Sequence, residues 1–380
     1  MPTGQLYDNI AAITVVGVIA VLAIYILPTI NFQNIQAIDE QQLLNIAQET
    51  LNYMLLSEGY PANWGSYYPF DEDSVQSFGL ALAGAGRFYV LDADKVQRLV
   101  ENNPVGYISY ERVKELLGIS GYGFSLSIKP PFKVYIINMS ESFQHLIFEV
   151  FVSDFGGKPV PNAKVTATSI YCTGQVNNLE IHFKKTVNTT NAAGKCKIEQ
   201  FIDENQIKDI ATIFHVSLSG INTYTVVYQR IPPDNIAQIN YVNNTIVLTQ
   251  NGVPPSREEI KIKKILIYGP SGDVILEYNG TQHDVVTYWN GQGDPPPGYK
   301  IWSKEFPIEN PELILFVFSA TIPGEGRRPV IIVGPNPLWM GYRVLHYGDF
   351  PNGRVAVTVR RNVMISGMTY IAELTLWKEI

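Results

Sequence analysis

Cysteine is nearly absent from these 380 residues: Cys172 and Cys196 are the two that occur, so no multi-cysteine zinc or iron site can be built from them. In an oxidising compartment they could form one disulfide closing a modest loop, which typically stabilises by roughly 2–4 kcal/mol; two buried free thiols are the alternative. Histidine is scarce as well. His145, His182, His215, His283 and His346 are dispersed without metal-ligand spacing, and no cofactor or metal is expected. Positive charge is in deficit, with 28 Lys+Arg against 35 Asp+Glu. The net charge of -7 repels a phosphate backbone, so nucleic acid is not an expected partner. No Lys or Arg precedes Arg87, which leaves the positive-inside rule without an orientation to give.

Hydrophobic residues, in contrast, make up 46% of the chain and charged ones only 17%, which supplies packed cores and sets disorder aside. Tyrosine is abundant, and Pro and Gly fall mostly between short runs rich in Val, Ile, Thr and Tyr, so most of the chain reads as strands and turns. The exception lies near the start. Ile10 to Ile30 is an apolar run that as a helix would span about 31 Å, the thickness of a bilayer core. Its flanks, "MPTGQLYDN" and "LPTINFQ", match neither end of a secretory signal. Beyond it, Ile35, Ile38, Leu44, Ala47, Leu51, Met54 and Leu55 follow a spacing of three and four, one face of an amphipathic helix that "EGYP" terminates at Pro61. The spacing predicts one helix of about fifty residues, apolar and then one-sided, kinked near Pro28.

This arrangement resembles the archaeal type IV pilin and archaellum superfamily, whose subunits carry a short leader, an apolar helical tail and a β-rich head. The order of "AQETLNYMLLSEGYPANWG", "RFYVLDADKVQRLV", "YISYERVKELLGI" and "GYGFSLSI" between residues 47 and 128 is similar to the head-proximal region of such proteins. The resemblance implies prepilin peptidase cleavage after Gly4, giving a mature start at Gln5, although no basic residue precedes the cut. It also implies a filament core packed through small residues, Ala11, Ala12, Gly17, Ala20 and Ala23, because tails leaving lipid for like tails gain little from burial and need close contact. The implied partners are further copies of the chain, the membrane before assembly, the peptidase, and an assembly ATPase with its platform.

Within the β-rich remainder, "LIFEVFVSDFGGKPVPNAKVTAT" alternates, turns at Asp154 to Gly157 and alternates again, a hairpin-forming pattern. With "TTNAAGKCKIEQF" it resembles the Ig-like and carboxypeptidase-regulatory-like modules of surface proteins, and both cysteines fall inside it, which favours their pairing. The expected fold is therefore α+β: a long N-terminal helix, hydrophobic and then amphipathic, packed on a head of antiparallel sandwich-like domains. The expected layout is 1–30 for leader and tail, 31–130 for the helix continuation and helical part of the head, 143–232 for the Ig-like module, and 233–380 for a C-terminal β domain. The Ig-like module reads as an insertion if the strand near 123–137 shares a sheet with that last block; three consecutive domains are the alternative.

Four Asn-x-Ser/Thr sequons occur, at Asn138, Asn188, Asn243 and Asn279, where composition alone would give about three. They permit N-glycosylation of a cell-surface or extracellular protein. "GISGYG" at Gly118 and "GPSGD" at Gly269 lack the residues of a nucleophile elbow or a phosphate loop and read as a helix end and a β-turn. Asp92 and Asp94 read as a helix cap and a solvated neighbour, and "GDPPPGY" as a rigid loop. No nucleophile, base and orienting group share a recognisable frame, so no enzyme is expected. The function expected is structural, a subunit of a pilus-like extracellular filament with β heads outermost. The alternatives are a membrane-anchored binding or envelope-scaffold protein, and a minor pseudopilin at a filament tip.

Overall fold

A computed structural model describes residues 14–19, 21, 40–101, 103, 105–175, 178–204, 206–229, 237–250, 261–268, 274–279, 287–288, 300–305, 315–322, 328–334 and 344–379. Among these residues, strands dominate. The helices are short: α1 (residues 40–56), α2 (Ala93–Gln97) and α3 (Tyr110–Leu117), with helical residues also at 14–19 and 21. No helix among the described residues is long and apolar enough to cross a membrane. The expected α+β architecture, with one helix of about fifty residues packed on a β head, is thereby corrected to a mainly β fold with short helices. The reason is local chemistry. Alternating β-branched and aromatic runs outnumber the 3.6-residue patterns, and the helices that do form are cut short by glycines or flanking turns. Pro28, with its expected kink, lies outside the described residues.

Over its own length helix α1 is one-sided: Leu43, Ala47, Leu51, Met54 and Leu55 are buried, while Gln41, Glu49 and Leu56 face out; Leu44, expected on the buried face, is half-buried beside Leu43. Asp92 caps α2, its Oδ1 accepting from the Asp94 N–H at 2.8 Å. Ser109 caps α3, which Gly118 ends at a φ of 65°, in the left-handed region.

Among the described residues the strands form five sheets. Along the chain, β1 (Val90–Leu91) and β2 (Tyr122–Lys129) come first, followed by β3 (Lys133–Asn138), β4 (His145–Ser153), β5 (Lys164–Gln175), β6 (Asn178–Thr189), β7 (Lys195–Phe201), β8 (Asp209–Leu218) and β9 (Ile221–Tyr228). The sheets β3-β4-β7 and β6-β5-β8-β9 face each other as a sandwich. Its core includes Phe148, Val150, Ile198, Phe214 and Val216, with Phe148 and Phe214 edge to face at 5.0 Å. The hairpin expected across Asp154–Gly157 is corrected here. The turn forms, with Gly157 N–H on the Asp154 carbonyl, but β4 pairs with β3 and β7 whereas β5 pairs with β6 and β8. The chain makes one bridge, Ser153 to Pro159, and then crosses to the opposite sheet.

Strands β10 (Ala237–Val242), β11 (Thr245–Gln250), β12 (Lys261–Tyr268), β13 (Val274–Asn279), β14 (Thr287–Tyr288), β15 (Lys300–Glu305), β16 (Leu315–Ile322) and β17 (Arg328–Gly334) build the sheets β10-β11-β15-β14 and β13-β12-β16-β17. The chain then returns through β18 (Leu345–Gly348), β19 (Ala356–Ile365) and β20 (Met368–Lys378) to the sheet β1-β19-β20-β2-β18. β2 thus pairs antiparallel with β20 and β18, from Tyr122 opposite Lys378 to Lys129 opposite Ile371, and β3 to β17 lie between these partners in sequence. One core runs from α1 through this sheet, with Phe124, Leu126 and Leu374, to the outer face of β5 and β8 and to Ile331 and Val333 of β17.

Candidate functional site

Dense polar chemistry surrounds α2, where the five-residue helix and its C-cap residue each carry a buried cation, Lys95 and Arg98. The Lys95 ammonium donates to the carbonyls of Glu58 at 2.9 Å and Ala81 at 2.7 Å and pairs with Asp92 at 3.7 Å. Burial pulls its pKa down against the pull of Asp92. The Arg98 guanidinium lies 4.6 Å above the Phe70 ring and donates to the carbonyls of Gly65 at 2.9 Å, Tyr67 at 2.6 Å and Val105. Burial lowers it to about 10, opposed by the Asp94 charge. Lys95 is held by two main-chain oxygens and the Asp92 carboxylate, and Arg98 by main-chain oxygens alone, so the two cations organise the loops around α2.

Asp94 is not the solvated neighbour the sequence pattern indicated. Its carboxylate accepts from Ser66 Oγ at 2.7 Å, from the Asn243 N–H at 3.0 Å and from Gln97 Nε2 at 3.2 Å. Burial and the adjacent Asp92 outweigh these donors and raise it to about 6. Gln97 also donates to the Tyr241 carbonyl at 2.9 Å, and Asn240 to Asn103 Oδ1 at 3.0 Å. The α2 region is thereby clasped to the β10–β11 hairpin, whose turn residues Asn243 and Asn244 both have positive φ, as a tight two-residue turn requires. Lys95, Gln97, Arg98, Asn103 and Asn240 were missed by sequence reasoning; a Lys and an Arg three apart on the inward face with Val96 and Leu99 was the available signal.

The other expected site residues are scattered. Gly4, Gln5, Ala11, Ala12, Ala20 and Ala23 lie outside the described residues. Gly17 is helical, and a Cβ added there would meet nothing within 4 Å. Its described neighbours Val15, Val16, Val18, Ile19 and Val21 are 57%, 65%, 54%, 60% and 54% exposed. The expected disulfide is corrected: Cys172 and Cys196 are both buried thiols and are not bonded to each other. Cys172 faces the core shared with β17, whereas Cys196 lies inside the sandwich, where burial raises its thiol to about 11, so the two belong to different cores. Of the sequon asparagines, Asn138, Asn188 and Asn243 are exposed, and Asn279 sits in β13.

Among the described histidines, His145 bonds Glu199 at 2.7 Å, His182 bonds Thr173 at 3.0 Å, His215 bonds Asn222 at 3.0 Å and His346 stacks on Phe350; His283 lies outside the described residues. No group of three His, Cys, Asp or Glu among the described residues could hold a metal ion.

No protein-family model and no curated protein matches the chain. Among solved structures, the chain is similar to a red sea bream transglutaminase at 15% identity, over 59% of this chain and 32% of that one, with a TM-score of 0.15. The chain thus spans about a third of that structure's length, and a superposition this poor carries no argument about fold or activity.

Proposed function

We propose that the protein is a structural subunit of a pilus-like extracellular filament, held in the membrane by its apolar N-terminal segment before assembly and packed through that segment afterwards. The observation that carries this reading is the row Val15, Val16, Val18, Ile19 and Val21, which the chain's own described residues leave more than half exposed. A run of large aliphatic side chains left open in this way needs an apolar environment from elsewhere. Lipid supplies it first, and like segments replace lipid with little change in burial, so small residues such as Gly17 set how closely the segments approach. The β sheets, with exposed sequons at Asn138, Asn188 and Asn243, form the outer surface.

Two measurements on native material test the reading: mass spectrometry of the N-terminus and electron microscopy of sheared cell surfaces. Filaments containing this polypeptide, with a mature start at Gln5, are expected. An intact Met1 and no filament would instead leave a permanently anchored ectodomain, and the proposal would be lost.

A further inference from the structure

We infer that the head carries a self-pairing edge: strand β3 of one copy adds antiparallel to β3 of a second copy across a two-fold axis at Ile136, joining two three-stranded sheets into one of six strands. Among the described residues β3 has a partner on one side only, in the order β3-β4-β7. The ladder fixes which main-chain groups are free. Met139 N–H donates to the Ile147 carbonyl at 2.8 Å, in register with the pairs Ile137–Glu149 and Tyr135–Phe151. In an antiparallel ladder every second residue bonds the neighbour, so the odd-numbered residues face β4 and the N–H and C=O groups of Val134, Ile136 and Asn138 point to the open edge.

This strand carries little of the usual protection against edge pairing. It is built from Val, Tyr and Ile, contains no proline, and carries one charge, Lys133, at its end. Its two faces both leave apolar surface open. Outward, Tyr135 is 52% exposed, Ile137 58% and Met139 44%; inward, Val134 and Ile136 pack against the sandwich core but stay only half-buried.

The occupant is a second copy of this chain because the strand is complementary to itself. The paired stretch runs from Lys133 to Met139 and is centred on Ile136. Turned about that centre, it sets Val134 opposite Asn138 and Ile136 opposite Ile136, so that edge-facing groups meet edge-facing groups. Tyr135 falls opposite Ile137 in the close, non-hydrogen-bonded pairing, where aromatic and β-branched side chains pack best. Lys133 falls opposite Met139, with the exposed Glu141 of the other copy diagonally beyond it, so no like charges meet. This contact uses the head alone and does not depend on the filament reading.

Cysteine cross-linking of the full chain in detergent tests the register. Residues directly opposite in this pairing have Cα atoms about 4.5 Å apart, within disulfide reach, and both native cysteines are buried. A mixture of Tyr135→Cys and Ile137→Cys proteins, gently oxidised, is expected to give a covalent species of twice the chain mass that neither variant gives alone. Equal cross-linking by each single variant, or none in the mixture, overturns the proposal. Ile136→Pro removes an edge-facing N–H while sparing every bond to β4; it should abolish the cross-link when added to both cysteine variants, and persistence of the cross-link would count equally against the pairing. A glycan on Asn138 of the native protein would block the edge and has the same force.

Discussion

Arg98 and Asp94 show what single side chains do for this fold. A buried guanidinium is tolerated only when its donors are matched, and here the carbonyls of Gly65, Tyr67 and Val105 converge on it. Arg98→Met keeps much of the volume over Phe70 but strips three carbonyls of their donor. Orphaned buried acceptors cost about 1–3 kcal/mol each before relaxation, so a loss of about 3 kcal/mol or more is expected in denaturant unfolding of the full chain. A loss under about 0.5 kcal/mol, the range of ordinary surface changes, would show that the loops do not depend on the guanidinium. Asp94 acts through pH. Its folded-state value of about 6 is above that of an unfolded aspartate, near 3.9. Between those values the folded state binds more protons, so the Asp94 contribution to stability rises as pH falls from about 6 toward 4. Asp94→Asn deletes that titration. The melting temperature of the wild type, relative to the variant, should climb between pH 7 and pH 4.5; a difference that stays flat or shrinks would contradict the assigned shift.

At the scale of elements, the join between β2 and β20 depends on a glycine. Gly123 lies directly opposite Trp377, and an added Cβ would overlap the buried indole. Gly123→Ala should therefore destabilise by about 1–3 kcal/mol, the usual cost of overpacking, and Trp377→Leu in the same chain should recover part of the loss; a neutral Gly123→Ala in urea unfolding would mean that the indole moves freely. Neither partner is identifiable from the strand patterns, because alternation reports which face is buried and not which strand lies alongside. That limit recurs. The alternation of Lys195–Phe201 appears as strictly exposed and buried residues, and the asparagine of "TTNAAG" does make its turn, Asn191 Oδ1 accepting from Ala193 and Lys195. What pattern could not supply was the crossing of the chain from β4 to β5, the separation of Cys172 from Cys196 by a sheet, or the length of the helices. The polar clasp at α2 was hidden for a related reason: Gln97 and Asn103 meet Tyr241 and Asn240, residues far along the chain that no local spacing connects.

For the whole molecule, the question is what surrounds the apolar N-terminal residues, and Gly17 separates the answers. A Cβ added at this position meets nothing within 4 Å, so a larger side chain starts into open space. Leucine also favours helix over glycine by several tenths of a kcal/mol or more, so Gly17→Leu should leave the segment helical and the sheets folded. In lipid the larger side chain is equally at home, because the acyl chains move aside. Between two closely packed segments it is not, because a helix approaching at a glycine has no room for an isobutyl group. The filament reading therefore predicts a variant that is exported, cleaved like the wild type and melts at the wild-type temperature, yet yields few or no filaments in sheared preparations. Gly17→Ala, with a side chain close to the original size, should retain them. Normal filaments from Gly17→Leu would mean that the small residues do not form the contact face, and the packing role of the segment would then have to be given up even if filaments exist.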